Sequence, residues 1–106
     1  MDDDAVFKAL ADASRRQLLD RLRRKEAQTL GELCAGLDMT RQAVAKHLAI
    51  LQAANLVSWK WQGRERLHYL NAVPIHAIAD RWIRRFEQPR LSALANLKKK
   101  LEGEEK

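Results

Sequence analysis

Residues 39–57 read MTRQAVAKHLAILQAANLV and carry two kinds of side chain at helical spacing. Val44, Leu48 and Leu51 recur at the three- and four-residue intervals of a single apolar seam. At about 100° per residue, Gln42 and Lys46 fall roughly opposite that seam, with Ala45 and Ala49 on one flank. A helix that only packs on a core needs no more than a generic soluble face. This face has the chemistry to read an edge. A Gln amide offers a donor and an acceptor together, as the adenine edge requires, and Lys offers a point charge to guanine or to phosphate. The alanines let the helix backbone approach closely. Thr40 and Arg41 sit at the helix start, where terminal amides and a guanidinium can hold phosphate oxygens.

A second basic group, Lys60, Arg64 and Arg66, lies around Gly63 on a hairpin. Such a hairpin can meet nucleic-acid backbone or a minor groove. The whole chain carries 20 Lys and Arg against 14 Asp and Glu, a formal charge of +6, which makes an anionic partner worth considering. The acids gather at Asp2–Asp4 and the bases at 15–25, 41–46, 60–66 and 81–90. An enzyme needs a nucleophile with its base, paired carboxylates or a metal. Nothing in this sequence groups residues in that way, so catalysis is not expected.

The elements that position these residues follow from capping and periodicity. Val6, Phe7 and Leu10 share one face of a short first helix, whose positive end receives the carboxylates of Asp2–Asp4. Asp12 is an N-cap for a second helix with Leu18, Leu19 and Leu22 inward and its arginines, Arg15, Arg16, Arg21, Arg23 and Arg24, largely on a solvated face. Thr29, Leu30, Gly31, Glu32 has the form of a capping box, and Gly36 suits a left-handed C-terminal cap about two turns later. Thr40 caps the next helix, and Asn55 takes the left-handed position after it. The period then changes to two: Val57, Trp59 and Trp61 alternate with Ser58 and Lys60, and after Gly63 the alternation resumes through Leu67 and Tyr69. Pro74 opens a fifth helix in which Ile75, Ile78, Ala79, Trp82, Ile83 and Phe86 share a face. Gln88 and Pro89 interrupt it, and Leu91, Leu94, Leu97 and Leu101 resume the stripe.

Helix, tight turn, helix and hairpin, in that order, predict a mainly α fold with a small β-hairpin, the winged helix-turn-helix. The expected organisation is one domain over 1–106, with the helix-turn-helix at about 29–54, the wing at about 56–70 and C-terminal helices at about 74–102. The last helices carry more large apolar residues than so short a chain can cover, which favours burial against a second copy through Val6, Phe7, Leu10, Ile78, Trp82, Ile83, Phe86, Leu94 and Leu97.

The run TLGELCAGLDMTRQAVAKHLAILQAANLVSWKWQGRERLHYLN resembles the ArsR/SmtB family of bacterial winged-helix repressors, through the capped helix, the pattern "AVAKHL..L..ANLV" and the hairpin ending "LHYLN". The resemblance implies a homodimer joined by its first and last helices, bound to an imperfect inverted repeat near a promoter. It assigns DNA contact to Thr40, Arg41, Gln42, Ala45 and Lys46, with His47 at a position where the family commonly has histidine. Ala45 departs from the family's common serine and so lacks a hydroxyl.

Many members of that family release DNA on binding metal. One of their sites is a "CVC" thiolate pair, where this chain has Cys34, Ala35 and Gly36. A lone thiolate cannot chelate a soft metal, and a free Cys is commonly a small buried hydrophobe. His76 and Asp80 form only half of the family's other site, and His68 reads as structural. No metal or cofactor is therefore expected. The expected function is a sequence-specific DNA-binding repressor, with double-stranded operator DNA as its partner. A metal-responsive sensor and a winged-helix protein-interaction module stand as alternatives. The single cysteine rules out an intrachain disulfide, and the start lacks a cationic, apolar leader, which together point to the cytoplasm.

Overall fold

The computed structural model of the chain describes residues 3–84 and 95–101, without the side chains of 83 and 84. Its first compact unit spans Met1–Pro74 and its second Ile75–Lys106. In the first unit, α1 (Asp3–Leu10), α2 (Ala13–Arg24), α3 (Leu30–Cys34) and α4 (Arg41–Ala53) precede an antiparallel hairpin of β1 (Val57–Gln62) and β2 (Glu65–Leu70). With the wing following the helix-turn-helix, this is the expected winged arrangement.

Helices α2, α3 and α4 each start where a side chain satisfies their first amides. Asp12 Oδ1 accepts from the Ser14 and Arg15 N–H groups at 2.8 and 3.2 Å. At α3 the capping box is complete: Glu32 N–H donates to Thr29 Oγ1 at 3.2 Å, and Thr29 N–H donates to Glu32 Oε1 at 3.1 Å. Thr40 Oγ1 accepts from Ala43 N–H at 3.0 Å. The end of α4 is a Schellman motif. Asn55 is left-handed, φ +63°, so that Asn55 N–H reaches Gln52 O and Leu56 N–H reaches Leu51 O at 3.0 and 2.9 Å. That turn buries Leu56 and aims the chain into β1.

Arg16, Arg23 and Arg24 of α2 are exposed as expected, Arg15 and Arg21 are half-buried, and three of the five arginines have a further role. Arg15 donates to Ala9 O and Lys8 O, Arg16 to Leu10 O, and Arg21 to Leu33 O, so each guanidinium closes the carbonyl end of a neighbouring helix. A cation there meets both the unpaired carbonyls and the negative end of the helix dipole. Periodicity alone reports which face an arginine occupies; it does not report that a helix end lies within reach of it.

The core is apolar and continuous. Val6, Ala9, Leu18, Leu22, Leu33, Val44, Leu48, Leu51, Leu56 and Val57 are all buried, supplied by every helix of the first unit and the start of the hairpin. Val6 was expected at a dimer interface. At 1 % exposure it is spent inside this core and has no surface to offer a second copy.

A buried polar bridge fastens the wing to the helices. Gln28 and His68 pair as an isolated antiparallel bridge, and His68 Nδ1 lies 2.9 Å from Gln28 O. The Gln28 amide donates in turn to Arg21 O and Lys25 O at 3.1 and 2.7 Å, capping α2. Ala27 beside it is left-handed, φ +62°, held by donation from its N–H to His68 O. The structural reading of His68 is therefore correct, and its partner is a residue that no sequence pattern singled out.

In the second unit α5 begins within the first and runs Val73–Ala79, Asp80–Arg84 form a wider π-type turn, and 95–101 are helical. The interruption at Gln88 and Pro89, and Phe86, Leu91 and Leu94, lie outside the described residues, as does the side chain of Ile83.

Gln28→Leu removes two hydrogen bonds to part-buried helix-end carbonyls while keeping side-chain bulk. We expect a loss of about 1–3 kcal/mol, measured by urea denaturation. A change under about 0.5 kcal/mol contradicts the capping role assigned to this residue.

Candidate nucleic-acid interface

With Val44, Leu48 and Leu51 fixed in the core, the rest of α4 has one orientation. Arg41, Gln42, Ala45, Lys46 and Ala49 are exposed, as the helical wheel requires. Thr40 Oγ accepts a bond inside its own cap and keeps its hydroxyl proton for an outside acceptor. The first turn of α4 thus presents free amides, a hydroxyl and the Arg41 guanidinium together, the combination that suits a phosphate.

The hairpin lies across a groove from this helix. The groove has a volume of about 580 Å³ and is lined by Thr29, Leu30 and Gly31, by Arg41, Ala45, Leu48, Ala49 and Gln52 of α4, and by Trp61, Arg64, Glu65, Arg66 and His68 of the wing. Three cations thus stand against one carboxylate. Of the expected contact residues, the structure brings Arg41, Ala45, Arg64 and Arg66 into one concave surface, with Gln42 and Lys46 exposed on the same helix outside its lining.

Two expected contact residues are placed differently. His47 is half-buried on the other flank of α4, with Nδ1 3.4 Å from Arg15 Nη1, so it joins α4 to the α1–α2 junction. Lys60 lies on the hairpin face opposite Arg66, because Lys60 pairs with Leu67 and Trp61 with Arg66, and side chains alternate along a strand. Its ammonium sits 5.3 Å from the Tyr69 ring centre.

The turn itself follows from glycine. Gln62 and Glu65 are the last pair, so Gly63 and Arg64 form a two-residue loop with φ +63° at Gly63 and no left-handed residue at Arg64, the pattern of a II′ turn. Arg64 therefore projects from the wing tip. The tryptophans are the unexpected feature: Trp59 and Trp61 share their face with buried Val57 and His68, yet they are 39 % and 60 % exposed, since the hairpin extends beyond the body that covers its base.

Known proteins resemble this chain in sequence and in fold. Residues 10–58 match the family model described as a helix-turn-helix domain. The uncharacterised HTH-type transcriptional regulator YuzN of Bacillus subtilis is 42% identical, over 76% of this chain and 94% of the relative. A solved ArsR-like transcriptional regulator from Rhodococcus sp. RHA1 superposes with a TM-score of 0.71 at 34% identity, covering 94% of this chain and 90% of that one. The chain belongs to the ArsR family of helix-turn-helix transcriptional regulators. As an ArsR-family transcriptional regulator it binds DNA. A more distant relative, the transcriptional repressor SdpR of Bacillus subtilis, is 32% identical over 62% of this chain and 72% of its own length.

Cys34 is half-buried and alone, and among the described residues no three His, Cys, Asp or Glu side chains group together. No helix among the described residues is long and apolar enough to cross a membrane.

The carboxyls that cap α2 and α3 both ionise more readily than usual. Asp12 is held below its ordinary 3.8 chiefly by the Arg15 N–H, and then by the Ser14 N–H and the charges of Arg15 and His47. Glu32 is held below 4.5 chiefly by the Thr29 N–H, with the Thr29 hydroxyl and Lys25 adding to it. A carboxyl lowered on folding contributes stability above its unfolded value and loses it as pH falls through the folded one. The melting temperature should therefore decline as pH drops below about 4, and Asp12→Asn should be less stable at neutral pH yet show a shallower decline. An unchanged acid limb in Asp12→Asn contradicts this assignment.

Proposed function

We propose that this regulator is a sequence-specific repressor that binds an inverted repeat as a homodimer, with α4 in the major groove and the wing alongside. The observation that carries the reading is the shared groove, in which Arg41 on one wall and Arg64 and Arg66 on the other flank a floor of small and apolar residues. A strand of sugar-phosphate backbone between the grooves of duplex DNA has the charge and width for such a cleft. Gln42 and Lys46, exposed beside it, then face base edges, with Ala45 and Ala49 permitting close approach. Arg64 at the tip meets phosphate. The family's DNA position at 47 serves here to orient α4 against Arg15.

Dimerisation through the first and last helices is supported by apolar surface. Phe7, Trp82 and Leu97 are 42 %, 50 % and 52 % exposed, and Leu10 and Ile78 are half-buried. Large exposed side chains of this kind favour burial against a second copy. A two-fold dimer presents two recognition helices and so requires two half-sites in inverted order. The repressor sense rests on the relative SdpR, whose name carries it.

Two substitutions test the division of labour. Gln42→Ala should cost about 1–3 kcal/mol on the specific duplex and relax discrimination at one base position. Arg64→Ala should weaken all duplexes alike and lower the salt slope by about one. Fluorescence-anisotropy titration over a salt series reads both. Equal weakening of specific and random DNA by Gln42→Ala contradicts its base-reading role.

A further inference from the structure

The exposed tryptophans of the wing are not idle surface. Trp59 and Trp61 meet edge to face, ring centres 5.4 Å apart at 84°, and the Arg66 guanidinium lies against both, 4.7 Å from the Trp59 ring and 5.5 Å from the Trp61 ring. The strand register explains the cluster: Trp61 pairs directly with Arg66, and Trp59 with His68 next to it on the same face. Because His68 is buried and bound to Gln28, the base of this face is fixed to the body of the unit.

A guanidinium held against aromatic rings keeps its N–H groups available for hydrogen bonds. Such a contact also removes rotamer freedom before any ligand arrives, so less is lost for each hydrogen bond later formed. Among the described residues no ring lies against Arg64 at the tip, which suits a diffuse contact with phosphate. Arg66 is a fixed planar fork set back from the tip, lining the groove opposite Arg41.

We propose that Trp59 and Trp61 are positioning residues, which hold Arg66 so that its N–H edge enters the narrow minor groove of A·T-rich DNA flanking the segment read by α4. A narrow minor groove concentrates negative potential and presents acceptors on its floor, the setting in which an inserted arginine is favoured over a mobile cation. The inference rests on the proposed placement of α4 and the wing on duplex DNA. It adds a source of specificity that α4 does not supply, since flank shape is read by the wing.

The test uses the full chain and its own upstream duplex, with successive short blocks replaced by A·T or by G·C tracts and a scrambled duplex as reference. The wild-type protein should favour A·T over G·C at the wing position by about five- to tenfold. Arg66→Lys keeps the charge but loses the fork, and Trp61→Leu keeps the charge but loses the stack. Both should bring that ratio to within about twofold while the salt slope stays the same, and the double variant should be no worse than either alone. Trp61→Phe should restore most of the preference. A purely structural role for the tryptophans would lower affinity for both flanks by one factor and leave the ratio unchanged, which overturns the inference; so does an unaltered ratio in Arg66→Lys. Failure of the wild-type protein to distinguish upstream from scrambled duplex would overturn the underlying reading, and this one with it.

Discussion

The burial of Val44, Leu48 and Leu51 is the constraint on which the interface depends. Those side chains can satisfy the core in only one rotation of α4, and that rotation turns Arg41, Gln42, Ala45 and Lys46 outward together. A helix free to roll would present an average face, and base-edge hydrogen bonds need a fixed one. The Schellman turn at Asn55 and the N-cap at Thr40 fix the helix along its axis in the same way. Rigidity in the core thus becomes geometry at the surface.

The wing depends on the same core through a different bond. Its base is tied down by Val57 and by the Gln28–His68 bridge, and its far half extends beyond the body. Beyond that anchor the hairpin must stabilise itself. The indole pair, Arg66 and the Lys60–Tyr69 contact do so on its two faces, which makes the features that stiffen the wing also those that shape its charge. Basic residues therefore serve two ends in this protein. Arg15, Arg16 and Arg21 close helix termini, while Arg41, Arg64 and Arg66 line the groove, and a net charge of +6 does not separate the two groups.

Capping chemistry and period made much of this readable in the sequence. Asp12, Thr29 with Glu32, Thr40 and Asn55 each mark a helix boundary by a local interaction, and each acts where expected. The seam of α4 was equally readable, because helical spacing is a property of neighbours in sequence. What was hidden depends on distant contacts. The reach of Arg15 to His47 spans 32 residues, and the bridge from Gln28 to His68 spans 40, so neither leaves a local trace. Strand alternation correctly set Trp59 and Trp61 on the face of Val57, but it could not report where the supporting body ends. That limit is why the sequence pattern alone does not separate Val6, a core residue, from an interface residue.

The central claim is that one rigid face, α4 with its wing, reads a particular DNA sequence. Binding of the purified protein to its own upstream duplex and to a scrambled duplex of equal length, each over a salt series, tests it most directly. Preference for the upstream duplex should persist at moderate salt, because base-edge contacts do not depend on counterion release as phosphate contacts do. Equal affinities that fall together with salt would show a basic module on a polyanion and contradict the account.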